Sequence, residues 1–248
     1  MNAVVDWMPW VAHFERNRHR PLPPITDGLD QLPAPLAAAL AVSLAKFQQG
    51  ETGEGRIANE VGHIGWASID PAYVAALRAF VAEEGRHAKI LGLAVRALGA
   101  RSQRSEWSAR LFAAGRRLVD PRFELVALLG AEVAAIAAYQ AIVDALPEGG
   151  LRVALRELVA DEEEHLRFHA SLFAAEARTG ARRVALVASL SSVLAAAAAV
   201  LVADHAALWR ALGVSPVALT AAVAQLGRRA LVATASPPAL PSRGEMAA

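Results

Sequence analysis

A single carboxylate, Glu132, stands in an otherwise apolar stretch near the middle of the chain. From Leu125 to Val143, a run of nineteen residues, Glu132 is the only ionisable group apart from the phenol of Tyr139. Burying an isolated carboxylate in an apolar helix costs several kcal/mol unless a partner compensates its charge. The sequence therefore predicts that another part of the chain supplies Glu132 with a partner inside the fold.

Two other segments carry a glutamate and a histidine three positions apart, namely Glu84 with His87 and Glu162 with His165. Residues i and i+3 project to the same side of a helix, so each pair can present a carboxylate oxygen and an imidazole nitrogen to one metal ion. One such pair is usually a solvated salt link. Two pairs on separate predicted helices indicate a shared metal site.

The pattern of apolar residues predicts an all-α protein, because Ala and Leu dominate the periodic segments while Gly and Pro fall mostly between them. We expect four long helices, over about 34–67, 71–98, 121–146 and 151–178, and a shorter piece over about 105–118. Two further helices are expected over about 182–212 and from Ser215 onward. Asp70-Pro71 and Asp120-Pro121 each predict a helix start, with Asp as the N-cap.

Composition limits the classes of function. The formal net charge of +1 gives no field that would favour nucleic acid, and the absence of cysteine excludes disulfides and thiolate metal sites. The N-terminus shows no pattern of a signal peptide, so we expect a cytoplasmic protein. The uncharged stretch 185–203 leaves membrane association as an alternative, although its many alanines favour a helix packed on a bundle.

The first long helix offers two candidate carboxylates for the metal site, Glu51 and Glu54, in the segment "QGETGEG". Glu54 precedes Glu84 by thirty positions, as Glu132 precedes Glu162, which favours Glu54 by symmetry. The complete set resembles the ligands of the ferritin-like superfamily of di-iron carboxylate proteins, in which two helices give a Glu and two give Glu-x-x-His. Rubrerythrins and quinone-biosynthesis hydroxylases of that superfamily have a Gly-Glu dipeptide at this ligand, which Gly50-Glu51 resembles. Gly53-Glu54 also fits the dipeptide, and we take Glu51 as the first candidate.

The resemblance covers about residues 34–178 and implies a ferritin-like four-helix bundle with additional C-terminal helices. We expect an N-terminal extension over 1–33, the bundle over 34–180, C-terminal helices over 181–232 and a disordered tail over 233–248. The implied metal ligands and catalytic groups are Glu51, Glu84, His87, Glu132, Glu162 and His165, with Glu54 as the alternative to Glu51. The implied cofactor is two iron ions, with manganese in place of one or both as an alternative.

His169 lies one turn after His165, where the other Glu-x-x-His helix has Leu91. The sequence leaves three roles open for His169, namely a further metal ligand, a hydrogen-bond donor beside the ligands, and a core histidine. Asp161 is a candidate acceptor for a ligand histidine, Tyr139 is expected to be a core tyrosine with a bonded hydroxyl, and Glu83 is expected to be solvated or paired with Arg86.

The resemblance implies a di-iron oxygenase or oxidase that activates O₂, takes electrons from an external donor and oxidises a small organic substrate. Iron oxidation, iron storage or peroxide scavenging of the ferritin and rubrerythrin kind is the alternative function. A non-catalytic helical protein is the second alternative, although it would bury four carboxylates with histidines alone as partners. The extra C-terminal helices also suit an interface in a homodimer.

Overall fold

The computed structural model describes residues 5–52, 54–100, 120–236 and 240–241, and of Glu54 it describes the backbone alone. These residues form an all-helical bundle with no β-strand among them. The α-helices in chain order are α1 Met8–Asn17, α2 Ala34–Gly50, α3 Ile57–Glu60, α4 Pro71–Ala97, α5 Pro121–Ala145, α6 Gly150–Glu176, α7 Gly180–Asp204, α8 Ala206–Leu212 and α9 Pro216–Ala233.

The predicted helix starts at the Asp-Pro pairs are confirmed. The Asp70 side chain accepts a hydrogen bond from the backbone N–H of Tyr73 at the start of α4. The Asp120 side chain does the same for the N–H of Arg122 at the start of α5. The side-chain cap satisfies one of the free N–H groups of the first turn, and proline at the first position removes another. Both helices therefore begin where the sequence predicts.

Two predicted helices end earlier than expected. The first was expected to reach residue 67, but α2 ends at Gly50 and only short helical turns follow it, because glycines at 50, 53 and 55 weaken helix continuation. The helix expected over 182–212 is broken at His205, whose ring stacks on Phe47 with centroids 4.3 Å apart. The predicted piece over 105–118 and most of the predicted tail lie outside the described residues.

The long helices pack in pairs, α2 along α4 and α5 along α6, while α7 and α9 cover α5 from the outside. The N-terminal helix α1 packs along α4 and is part of the core, since Trp10 and Phe14 are fully buried. The Trp7 indole N–H, just before α1, donates to the carbonyl of Ser68 over 2.9 Å. Part of the expected N-terminal extension therefore packs against the bundle as part of its core.

Two of the described helices, α5 and α7, are long and apolar enough to cross a membrane by length and composition. Helices α8 and α9 pass the same test as a pair, although the chain bends by 105° between them. In α5, 72% of the most apolar window is buried inside the protein, whereas in α7 the buried share is 22%. The apolar side chains of α5 are thus mostly buried in the core, whereas burial in the core does not explain the apolar side chains of α7.

Candidate metal centre

The two Glu-x-x-His pairs meet in the middle of the bundle, as their spacing predicts. One ligand atom each from Glu84 and His87 on α4 and from Glu162 and His165 on α6 lies within 4.8 Å of all the others. All four residues are buried, and both histidines are fully so. A cluster of hard oxygen and imidazole donors of this kind is the chemistry that divalent iron and manganese prefer.

Helix α5 adds Glu132 to this cluster. Its carboxylate lies 3.7 Å from Nδ1 of His165 and 3.6 Å from Nε2 of His169, and it shares a hydrogen bond with Glu162. Glu132 is 5% exposed, so its charge faces the cluster and not the solvent. The lone carboxylate of the apolar helix therefore has its partners on α6.

Glu51, at the C-terminal end of α2, supplies the fourth carboxylate. It shares a hydrogen bond with Glu84 and accepts one from the hydroxyl of Tyr139 over 2.5 Å. Glu54 follows one turn later in a short 3₁₀ segment, and its side chain lies outside the described residues. The structure thus brings Glu51 to the cluster.

The electrostatics of the cluster favour a bound cation. Burial raises the pKa of Glu84, of Glu162 and of Glu51, and the charges of neighbouring carboxylates raise each of them further. Every ion-pair partner that the described part of the chain gives Glu84, Glu132 and Glu162 is a histidine. Carboxylates crowded in this way without Lys or Arg are stabilised either by protons or by metal ions.

Both histidines of the cluster turn the same nitrogen toward the carboxylates. Nδ1 of His87 lies 3.2 Å from Oε1 of Glu162, and Nδ1 of His165 lies 2.9 Å from Oε1 of Glu84. Burial alone would lower the pKa of these imidazoles, but hydrogen bonds and the adjacent carboxylate charges raise it well above its usual value. The inward Nδ1 positions are therefore where a metal ion would replace a proton.

The outward nitrogens of the two histidines face a second pair of carboxylates. Nε2 of His87 is hydrogen-bonded to Oδ2 of Asp161 over 3.1 Å, and Nε2 of His165 lies 3.4 Å from Oε2 of Glu83. Each carboxylate directly precedes a glutamate of the cluster on its own helix but contacts the histidine of the other helix. A carboxylate behind a histidine fixes its tautomer and orientation and makes it a stronger ligand.

The position of Glu83 differs from the one expected from the sequence. It was predicted to be solvated or paired with Arg86, yet it is fully buried behind His165. Arg86 points elsewhere and bonds to Glu157 and to the carbonyls of Arg20 and Pro21. The sequence contains one signal for this position. Glu83 directly precedes Glu84 just as Asp161 directly precedes Glu162, so the two carboxylates occupy equivalent positions on their helices.

His169 extends the cluster on the α6 side. It is fully buried beside the rings of Phe80 and Phe168, with centroid distances of 5.0 and 5.1 Å. Neither of its ring nitrogens has a hydrogen-bond partner among the described residues. Burial and then the charge of His165 lower the pKa of His169 to about 3, so its imidazole is neutral and free to act as a donor to a metal.

The cluster of Glu84, His87, Glu162 and His165 could therefore hold a metal ion, and with Glu51 and Glu132 beside it the set of donors is compatible with a di-metal site. Comparisons with known proteins add nothing to this geometry. No protein-family model, curated protein or solved structure matches the chain.

Proposed function

We propose that this protein is a di-metal carboxylate protein with a ferritin-like bundle, and that it uses two iron ions to activate O₂ and oxidise a small organic substrate. The observation that supports the proposal most is the burial of Glu84, Glu132 and Glu162 against histidines alone. Two M²⁺ ions would offset these charges, with Glu51 completing the set. Manganese in one or both positions suits the same oxygen-rich ligands.

When bound, two iron ions supply the redox chemistry that O₂ activation requires. The protein's own groups would hold and shield the centre. Glu84 and Glu162 lie between the two imidazoles and, with His87 and His165, would hold the metal ions there. Asp161, hydrogen-bonded to Nε2 of His87, and Glu83, 3.4 Å from Nε2 of His165, would favour a proton on these outward nitrogens and so keep Nδ1 available as the donor.

Aromatic side chains line the histidine side of the centre and exclude water from it. The ring centroid of Phe80 lies 4.8 Å from that of His165, and that of Phe14 lies 5.7 Å away. Both phenylalanines are buried. A dry, apolar wall strengthens electrostatic interactions within the site and limits side reactions of an activated oxidant.

His169 is proposed as an additional ligand on the Glu132 side. Its buried, unpartnered nitrogens and the 3.6 Å distance from Nε2 to Oε1 of Glu132 support this role. A buried nitrogen without a partner costs free energy, and a metal ion would remove that cost. The alternative role of His169, if it binds no metal, is that of a neutral histidine in the core.

The test of the proposal is metal content and reactivity. We expect the full-length protein to bind about two Fe²⁺ per chain in anaerobic titration, and the loaded protein to consume O₂ in a single turnover. Glu132→Ala should lose at least one of these metal ions. The matched control is Glu163→Gln, because Glu163 is next to a ligand on α6 but half exposed.

Three other results separate the alternatives. A cage-sized particle that accumulates ferric iron beyond the two sites would favour iron storage. Consumption of peroxide in preference to O₂ would favour scavenging. Absence of metal above trace level, together with unchanged stability of Glu132→Ala, would leave a non-catalytic helical protein.

A further inference from the structure

The segment that follows α1 brings one arginine, Arg20, to the outer side of the metal centre. Its Nη2 donates a hydrogen bond to Oδ2 of Asp161. The same nitrogen lies 3.7 Å from Oε1 of Glu83 and 3.8 Å from Oε1 of Glu157. One guanidinium group therefore contacts both carboxylates that stand behind the ligand histidines.

The backbone around Arg20 is fixed to α4. Arg86, which is 2% exposed, donates from Nε to the carbonyl of Arg20 over 3.2 Å and from Nη2 to the carbonyl of Pro21 over 2.8 Å. Upstream, Phe14 on α1 is fully buried against the bundle. Arg20 is thus held between two anchored points, which lets its side chain keep one position.

We propose that Arg20 is a positioning residue of the metal centre, holding Asp161 and Glu83 in place behind His87 and His165. Asp161 and Glu83 are buried, at 1% and 0% exposure, and each faces a histidine with one oxygen. A buried carboxylate is held in place by charge-assisted hydrogen bonds and by nearby opposite charges. Arg20 donates a hydrogen bond to Asp161 and lies within ion-pair distance of Glu83, so one guanidinium couples the positions of two carboxylates whose histidines lie on different helices.

This inference rests on the proposed metal centre and makes a specific prediction about it. Groups that orient metal ligands typically contribute about 10- to 100-fold to metal affinity. Replacing Arg20 should therefore weaken metal binding by a factor in this range without removing a ligand. It should also disturb His87 and His165 together, although they lie on different helices.

The experiment uses the full-length protein and its Arg20→Gln variant, with Co²⁺ as the probe. Co²⁺ affinity is measured by calorimetry and by visible absorption, and the imidazole nitrogens are observed by ¹⁵N NMR in the metal-free protein. We expect an affinity loss of about 10- to 100-fold and altered Nε2 signals for both histidines. The matched control is Arg18→Gln, because Arg18 lies on the same segment and pairs with the exposed Glu15 over 2.7 Å.

Wild-type affinity and unchanged Nε2 signals in Arg20→Gln would overturn the proposal. An equal loss in Arg18→Gln would also overturn it, since the cause would then be loosening of the whole segment. If the wild-type protein binds no Co²⁺, the metal centre itself fails, and the Nε2 signals of the metal-free variant still decide the role of Arg20. If Arg20→Gln does not fold, Arg20→Lys replaces it, because lysine keeps the charge without the planar guanidinium; unchanged Nε2 signals there count against the proposal.

Discussion

The hydroxyl of Tyr139 on α5 donates to Oε1 of Glu51, at the end of α2, over 2.5 Å. This hydrogen bond joins α5, the apolar helix of Glu132, to the end of α2. It also fixes a carboxylate that lies where α2 has ended and the chain turns away. Tyr139 is therefore a bonded core tyrosine, as the sequence predicts, and its partner is a candidate metal ligand.

Removing the Tyr139 hydroxyl should destabilise the protein, because Glu51 would lose a donor inside the core. We expect Tyr139→Phe to lower the free energy of unfolding by about 1–3 kcal/mol in urea denaturation. The control is Tyr73→Phe, since the Tyr73 hydroxyl is buried and has no hydrogen-bond partner among the described residues. That variant should be neutral or slightly stabilising, and equal losses in the two variants would contradict the importance of the hydrogen bond to Glu51.

Substituting the two candidate carboxylates after α2 should separate their roles. Glu51→Gln removes a negative charge next to Glu84, and we expect it to lose one bound Fe²⁺ or to weaken binding by about 10-fold or more. Glu54→Gln should keep both metal ions. Metal content by mass spectrometry after equilibrium dialysis checks both variants. Loss in Glu54→Gln with retention in Glu51→Gln would transfer the ligand role to Glu54.

Local spacing allowed most of the site to be predicted from the sequence. The spacing predicts Glu84 with His87 and Glu162 with His165, because residues i and i+3 lie on the same side of a helix regardless of what the helix packs against. Glu132 is found because a lone charge in an apolar run requires a partner. The all-helical class and the capped starts of α4 and α5 follow from equally local signals.

Contacts between distant segments could not be predicted in this way. Arg20 reaches Asp161 across 141 positions, and nothing near Arg20 in the sequence marks it as part of the site. The break at His205 depends on α2, because His205 stacks on Phe47 and Lys46 donates to the carbonyl of Asp204 over 3.0 Å. The early end of α2 had a local signal, the three glycines, which the apolar pattern on either side outweighed.

The metal-free protein should lose stability as the pH rises above about 6.5. Above about pH 6.5 an unfolded histidine has lost its proton, whereas the pKa values of His87 and His165 are raised well above that value in the folded state, so the folded state still binds these protons. The pKa values of Glu84 and Glu162 are raised from 4.5, so their contribution to stability starts to fall already above about pH 4.5. Stability is then present at low pH and is lost as these groups release their protons, by about 1.4 kcal/mol per pH unit for each retained proton. The lowered pKa of His169, about 3, acts only below pH 6.5 and does not alter this slope.

Urea unfolding in the presence of a chelator, from about pH 6.5 to about pH 8.5, measures this slope. With saturating Co²⁺ the slope should reverse, because metal binding requires deprotonated ligands and becomes stronger as the pH rises. A metal-free protein whose stability is constant or increases over this range would contradict the raised pKa values.

The close approach of Gly150 to the N-terminal segment should make it intolerant of any side chain. A Cβ atom at Gly150 would lie 1.7 Å from the carbonyl oxygen of Pro24, which as backbone cannot rotate away. We expect Gly150→Ala to lower the free energy of unfolding by at least about 2 kcal/mol, since the segment would have to move.

The matched control for Gly150→Ala is Gly85→Ala. Gly85 lies inside α4, and a Cβ atom there would meet nothing within 4 Å. Alanine in a helix interior should raise the stability by about 0.5–1 kcal/mol relative to glycine. Chemical denaturation of both variants checks the pair. A stable Gly150→Ala variant would show that residues 24–25 do not pack on the start of α6 as described, and would weaken the anchoring of the segment that carries Arg20.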